Sequence, residues 1–358
     1  MTPETHWESA DPAAVTPDSP PFLEFGPGNR LPVPGSLPPL APKVDYEALR
    51  QQRMAEVDEE TRLINLPFEQ YDFQPAPPPD PSVLAPGVTA RDIEIPGPAG
   101  PLSMRLYMPE RHENMPGLYF HTHGGGWAMF EGLKNHDTEN SGYATDFGCA
   151  VAHLDHRVSW KAKFPAQVED SFAAYRYLVD HADELGFDRT KIGIGGGCTG
   201  ANLATVVSLM ARDAGVQKPA VQWLWTPVFD TRNATGSYEE FANYSLTRAV
   251  ADTVTRLYLR SAEDTFDWRA SPLLVESVQG LSPAIIWAGE WEVLRDESRS
   301  FAARLREAGV DVTYIEGPQQ PHAGIYGRNP KTGERSRYSR DMLPQINALM
   351  RRYIGPAT

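Results

Sequence analysis

The chain has 358 residues, 41% of them hydrophobic, with no internal repeats, enough to bury one large core rather than two equal ones. Its 47 acidic residues outnumber 33 basic ones, and a formal charge of -14 argues against nucleic acid or an anionic membrane surface as a partner. No long apolar run or cationic, hydrophobic N-terminus marks a membrane span or signal peptide, and two cysteines, Cys149 and Cys198, make no disulfide framework, so the expected location is the reducing cytoplasm.

Residues 1 to about 45 are rich in proline, as at Pro20-Pro21 and Pro38-Pro39, which predicts a loop-like or extended arm. From Asp45 to about Leu63 the apolar residues Leu49, Met54, Val57 and Leu63 fall near a helical period. Pro75-Ala76-Pro77-Pro78-Pro79 then breaks the chain ahead of the first core strands, expected at about Ala90 to Ile95 and Leu102 to Met108.

The next strand, Leu118-Tyr119-Phe120-His121-Thr122, runs out into His123-Gly124-Gly125-Gly126-Trp127. Consecutive glycines let backbone N–H groups turn toward a ligand, as an oxyanion hole requires. His121 and His123 share one side of the strand end, but no third ligand stands at useful spacing and no metal is expected. His136, His153 and His156 read as structural or surface residues, and Cys149 reads as an inert thiol in a core strand.

Ile192-Gly193-Ile194-Gly195-Gly196-Gly197-Cys198-Thr199-Gly200 reads as a strand, a sharp turn and a helix start, with cysteine at the apex. A nucleophile held on such a turn needs residues without bulk two positions either side, and Gly196 and Gly200 meet that need. A phosphate-binding reading fails, since no Lys-Ser/Thr pair follows the glycines and Cys198 stands where a dinucleotide fingerprint has its third glycine.

Beyond the strand Val221 to Trp225 lies an insertion, Thr231 to Ala270, that carries Phe241, Tyr244, Tyr258 and Trp268. Ala284 to Gly289 is another buried strand, followed by Glu290-Trp291-Glu292 and then Val293-Leu294-Arg295-Asp296-Glu297. Val312 to Ile315 is a short strand leading to His322. Oxyanion loop, nucleophile, acid and histidine follow one another in the chain order of the α/β-hydrolase triad.

Several blocks resemble the hormone-sensitive-lipase branch of the α/β-hydrolases, which includes carboxylesterases. His123 to Trp127 is similar to its His-Gly-Gly-Gly motif, and Cys198 to Ala204 falls on its Asp-Ser-Ala-Gly-Gly-Asn-Leu-Ala elbow. Phe164-Pro165-Ala166 with Asp170, Ser271-Pro272-Leu273, and Glu292 to Glu297 on Asp-Pro-Leu-Arg-Asp-Glu complete a likeness over roughly residues 90 to 355. Serine has become Cys198, the preceding aspartate Gly197, and Tyr-Arg-x-Ala-Pro-Glu has become His156-Arg157-Val158-Ser159-Trp160-Lys161.

The resemblance implies an α/β-hydrolase fold, a mostly parallel eight-stranded sheet with helices on both faces and a helical lid. It divides the chain into an arm over residues 1-89 that contributes to the lid and a catalytic domain over 90-358, with a lid insertion at about 231-270. It implies Cys198 as nucleophile, His322 as base, Glu292 as acid with Glu290 as the rival, and oxyanion donors at the amides of Gly125, Gly126 and Thr199. Trp127, Phe241, Tyr244 and Trp291 are candidates for contact with a small-molecule acyl substrate. The expected activity is hydrolysis of an ester, lactone or related acyl compound through a thioester, without cofactor. Acyl transfer, lyase or cyclase chemistry with His322 as base, and ligand binding without catalysis stay open, as does a homodimer.

Overall fold

A computed structural model describes residues 22–25, 29–32, 45–67, 83–110, 115–329 and 332–356. Within the Pro-rich arm, β1 (Phe22–Phe25) and β2 (Asn29–Pro32) pair antiparallel. Pro20-Pro21, Pro38-Pro39 and the Pro75 to Pro79 break lie outside the described residues.

The segment expected as one helix from Asp45 forms two, α1 (Tyr46–Glu56) and α2 (Glu59–Ile64). The break falls at Val57 and Asp58 because the Asp58 carboxylate accepts the Thr61 amide at 2.8 Å and caps a new helix.

The main sheet has eight strands, β3 (Val88–Ile95), β4 (Leu102–Pro109), β5 (Leu118–Thr122), β6 (Ala150–Leu154), β7 (Ile192–Gly197), β8 (Val221–Trp225), β9 (Ala284–Gly289) and β10 (Val312–Gly317). Their order is β10-β9-β8-β7-β5-β6-β4-β3. Pairings from β6 to β10 are parallel, and only β3 with β4 and β4 with β6 are antiparallel. The strands β5, β6, β7 and β9 are buried along their whole length. Covered on both faces, they read in the sequence as apolar or glycine runs rather than as alternation. The antiparallel edge strand β3 is exposed or half-buried along its middle, and only its end residues Val88 and Ile95 are buried.

The helices α3 (Asp137–Phe147) and α10 (Arg337–Ile354) cover one face, where Tyr143, Phe147, Ile346 and Met350 pack against Tyr119, Val151 and Trp223. The other face carries α4 (Ala166–Asp180), α6 (Thr199–Asp213) and α9 (Arg295–Glu307), with Tyr175, Val207 and Phe301 against Phe120, Ile194 and Ile286. The short α5 (Ala182–Leu185) follows α4. The eight-stranded, mostly parallel α/β-hydrolase architecture expected from the sequence is therefore present.

Strand β5 leads outward to β6 while β7, on its other side, leads to β8, β9 and β10. The switch point of the sheet thus lies between β5 and β7, where open parallel sheets form their crevice at the carboxyl ends of the strands. In register there, Thr122 stands opposite Gly196, so the oxyanion loop and the elbow leave the sheet side by side.

A third cluster lies above this crevice. It joins Met54 of α1, Tyr238 of α7 (Gly236–Glu240), Ala251 and Tyr258 of α8 (Arg248–Tyr258), and Trp127, Phe241, Tyr244 and Trp291, with Cys198 at its edge. Buried charges fasten it to the body. Glu240 accepts from Arg53 at 2.7 Å and Arg295 at 3.0 Å, and Asp296 accepts the Ser237 amide at 3.0 Å.

Close backbone approach explains the elbow glycines. A Cβ on Gly196 or on Gly200 would fall 2.0 Å from the Thr122 carbonyl oxygen. Gly197 has a different cause, because a Cβ there would meet the Trp225 indole at 2.2 Å. The aspartate of similar sequences has no room here. Gly197→Ala is expected to cost about 2 kcal/mol or more by overpacking, and Trp225→Val should restore most of it, as read from urea unfolding of the single and double variants.

Candidate active site

Cys198 sits at the turn from β7 into α6 with φ 54° and ψ -120°, a left-handed conformation that costs a side-chain-bearing residue about 1–3 kcal/mol. Hydrogen bonds hold it there. Its amide donates to the Trp225 carbonyl at 3.0 Å, and its carbonyl accepts from Asn202 and Val228, each at 3.3 Å. The Asn202 side chain donates to the carbonyls of Val228 at 3.0 Å and Ala270 at 2.9 Å, which ties the start of α6 to both ends of the 231-270 insertion.

His322 and Glu292 converge on this turn from the loops after β10 and β9. The His322 Nδ1–H donates to Glu292 Oε2 at 2.9 Å, and Glu292 Oε1 accepts the Gly289 amide at 2.6 Å. On its other side the imidazole interacts with Cys198. Burial pulls the His322 imidazole down, but Cys198 and Glu292 outweigh burial and push it up to about 10. The rival Glu290 faces elsewhere, its Oε2 accepting the Gln319 amide at 2.7 Å, so it braces the histidine loop without reaching the ring.

Below Glu292, the carboxyl of Glu297 is wholly buried near Asp230. Burial first, and then Asp230, push it well above the ordinary carboxylate range.

The loop after β5 is shaped by glycine. Gly125 and Gly126 have φ of 95° and 64°, and a Cβ on either would meet Phe130 or Val254 at 2.5 Å. The Trp127 amide donates to Thr199 Oγ1 at 3.2 Å, which joins this loop to the first residue of α6. Helix geometry leaves the Thr199 amide without an intrahelical acceptor, and it stands beside Cys198. The structure therefore brings Cys198, His322, Glu292, Gly125, Gly126 and Thr199 into one locality.

The aromatic candidates form the wall above it. Trp127 stacks on Tyr258 with centroids 3.9 Å apart, Phe241 lies under the guanidinium of Arg295 at 4.8 Å, and Tyr244 packs edge-on to both Phe241 and Trp291. All four are at least 95% buried.

Five histidines form a feature the sequence did not disclose. His121, His123, His136, His153 and His156 are all buried, so the surface alternative for the last three is wrong. His123 and His156 stack at 4.3 Å with planes 7° apart, and His136 lies 5.0 Å from His123 and 4.4 Å from His153. They gather because β5 and β6 are parallel neighbours in which His121 is paired with His153. Among the described residues no group of three His, Cys, Asp or Glu side chains has an arrangement that holds a metal ion. Nor, among them, is any helix long and apolar enough to cross a membrane.

Comparison with known proteins agrees with the fold. A family profile described as alpha/beta hydrolase fold matches residues 119–325. The carboxylic ester hydrolase LipN of Mycobacterium tuberculosis strain H37Rv is 39% identical over 237 residues, which is 64% of this chain and 62% of LipN, so the match spans less than two thirds of that relative. An arylesterase of Saccharolobus solfataricus is 29% identical over 79% of this chain and 92% of its own length. A solved structure of a hyperthermophilic esterase from Pyrobaculum calidifontis superposes with a TM-score of 0.68 at 28% identity, covering 86% of this chain and 94% of that one. The chain belongs to the α/β-hydrolase family, in its hormone-sensitive-lipase-like carboxylesterase branch.

Proposed function

We propose that this protein is a carboxylic ester hydrolase that works through a thioester on Cys198, with His322 and Glu292 completing the triad. The observation that carries the reading is the series from Glu292, bonded to His322 at 2.9 Å, to Cys198 on the other side of the ring. Relatives that are themselves named ester hydrolases support the same reaction class.

In the proposed reaction the Cys198 sulfur attacks the ester carbonyl carbon as thiolate, and the negative charge passes to the carbonyl oxygen. The amides of Gly125, Gly126 and Thr199 receive that oxyanion. On collapse, His322 gives its proton to the departing alkoxide, leaving an acyl thioester and a neutral imidazole. Water then loses a proton to His322 as it attacks the thioester, and the second collapse expels thiolate and acid. Glu292 fixes the ring so that one nitrogen always faces the sulfur, and it stabilises the imidazolium. The aromatic cap, with α1 and the 231-270 insertion, forms the lid and limits the acyl group to a small or medium size.

A pH dependence follows. With His322 pushed up to about 10, the proton needed by the leaving group is present below that pH and lost above it. In steady-state assays of an alkyl ester, whose alkoxide must be protonated to leave, kcat/KM should fall on the alkaline side with a midpoint near 10, and an alkaline limb near 7 would contradict the protonated-histidine mechanism.

A further inference from the structure

Both ends of the oxyanion loop are held by imidazole N–H groups from the histidine stack. His123 Nδ1–H donates to the Gly124 carbonyl at 2.8 Å, and His136 Nε2–H donates to the Phe130 carbonyl at 2.9 Å. Carbonyl oxygens only accept, so these nitrogens carry their protons. The other nitrogen of His136 lies 3.4 Å from Glu139 Oε2, which makes His136 a donor on both sides and the resident cation of the stack.

The remaining rings are poorly placed to share a second proton. His156 Nδ1–H donates to the Arg157 carbonyl at 3.2 Å, and His121 Nδ1 meets Asn140 Oδ1 at 2.7 Å. His123 Nε2, His156 Nε2 and His153 Nδ1 are buried and have no hydrogen-bond partner among the described residues. A proton on His123 or His153 creates an unpaired buried charge within about 5 Å of His136, and a proton on either His123 or His156 places it in a parallel stack. The surrounding charges do not rescue it. Glu139 of α3 faces His121 and His136, Asp155 lies near His136 and His156, and Asp170 of α4 faces His156 while held by the Arg157 guanidinium at 2.7 and 2.8 Å. Burial comes first among the causes and leaves His121, His123, His153 and His156 all below the ordinary histidine range.

We propose that this five-imidazole stack positions the oxyanion loop, and that a second proton entering it separates His123 from His156 and draws the Gly124 to Gly126 amides away from the reacting carbonyl. His123, His136, His153 and His156 are on this view positioning residues for the thioester reaction proposed above, on which the inference rests. The oxyanion forms only in the transition state, so the signature is a loss in kcat with little change in KM.

The test is the pH dependence of kcat and KM for a p-nitrophenyl ester in the native enzyme, His156→Phe and His153→Gln, with circular dichroism at each pH. In the native enzyme kcat should hold through the ordinary histidine range and fall about tenfold only below it, between pH ~5.5 and pH ~4, reversibly, with KM changing less than about twofold. In either variant the fall should shrink to about threefold or less. An identical acid limb in all three proteins would assign it to the Cys198–His322 pair and overturn the proposal. Should the variants fail to fold, 13C NMR of the native histidine rings decides: stack resonances that titrate together with kcat support it, and rings that stay neutral while kcat falls overturn it. Absence of turnover at every pH would instead defeat the ester hydrolase reading, and the NMR titration still reports on the stack.

Discussion

Cys198→Ala should lower kcat for a small activated ester by about a thousandfold or more while leaving the fold intact. The sulfur is the one nucleophile at the elbow apex, and alanine removes the bond-forming atom without touching the backbone contacts of the turn. The Cys198 amide still donates to Trp225 and its carbonyl still accepts from Asn202 and Val228 in the variant, so thermal unfolding should move little. What survives is the oxyanion loop and the cap, which alone hold an ester near water. Cys198→Ser places an oxygen in the frame that similar sequences use for it, and it should recover a measurable part of the activity. Near-native turnover in Cys198→Ala would exclude covalent catalysis and favour a lyase or cyclase in which His322 acts as base.

His322→Ala should cost about 10³ to 10⁴ in kcat, because one ring serves both half-reactions. The imidazole protonates the alkoxide in the first and takes the proton of water in the second. Removing it also leaves Glu292 as a buried carboxylate bonded only to the Gly289 amide, so a modest fall in stability is expected beside the loss of rate. Burst kinetics separate the two half-reactions. If deacylation depends on His322 more than acylation does, the variant will accumulate acyl-enzyme after one slow turnover, and equal loss in both steps would show a single shared role.

Much of the crevice was legible because its cause is local. Buried parallel strands announce themselves as apolar runs, and a tight turn announces itself through glycines at fixed offsets, so β5, β7, β9 and the elbow stood out in the sequence. The Asp58 cap that splits α1 from α2 was not read, because the apolar period running through Leu63 concealed the helix start that Asp before Glu-Glu signals. Glu290 against Glu292 was not decidable, because two carboxylates two positions apart on a loop differ only in where the turn sends them. The contact of Gly197 with Trp225 depends on the register of β7 against β8, which no local pattern encodes. The histidine stack is the clearest omission. Its members come from β5 and the loop after it, the residue before α3, β6 and the loop beyond β6, and only the parallel pairing of β5 with β6 sets them side by side.

Intact-protein mass after brief exposure to p-nitrophenyl acetate, with Cys198→Ala as control, tests the central assignment most directly. An acetyl increment that needs Cys198, and that water alone removes at the rate of turnover, is the predicted result. An increment released only on adding an amine or alcohol would make the protein an acyltransferase. Turnover without any increment on Cys198, or an equal increment in Cys198→Ala, would contradict the thioester mechanism.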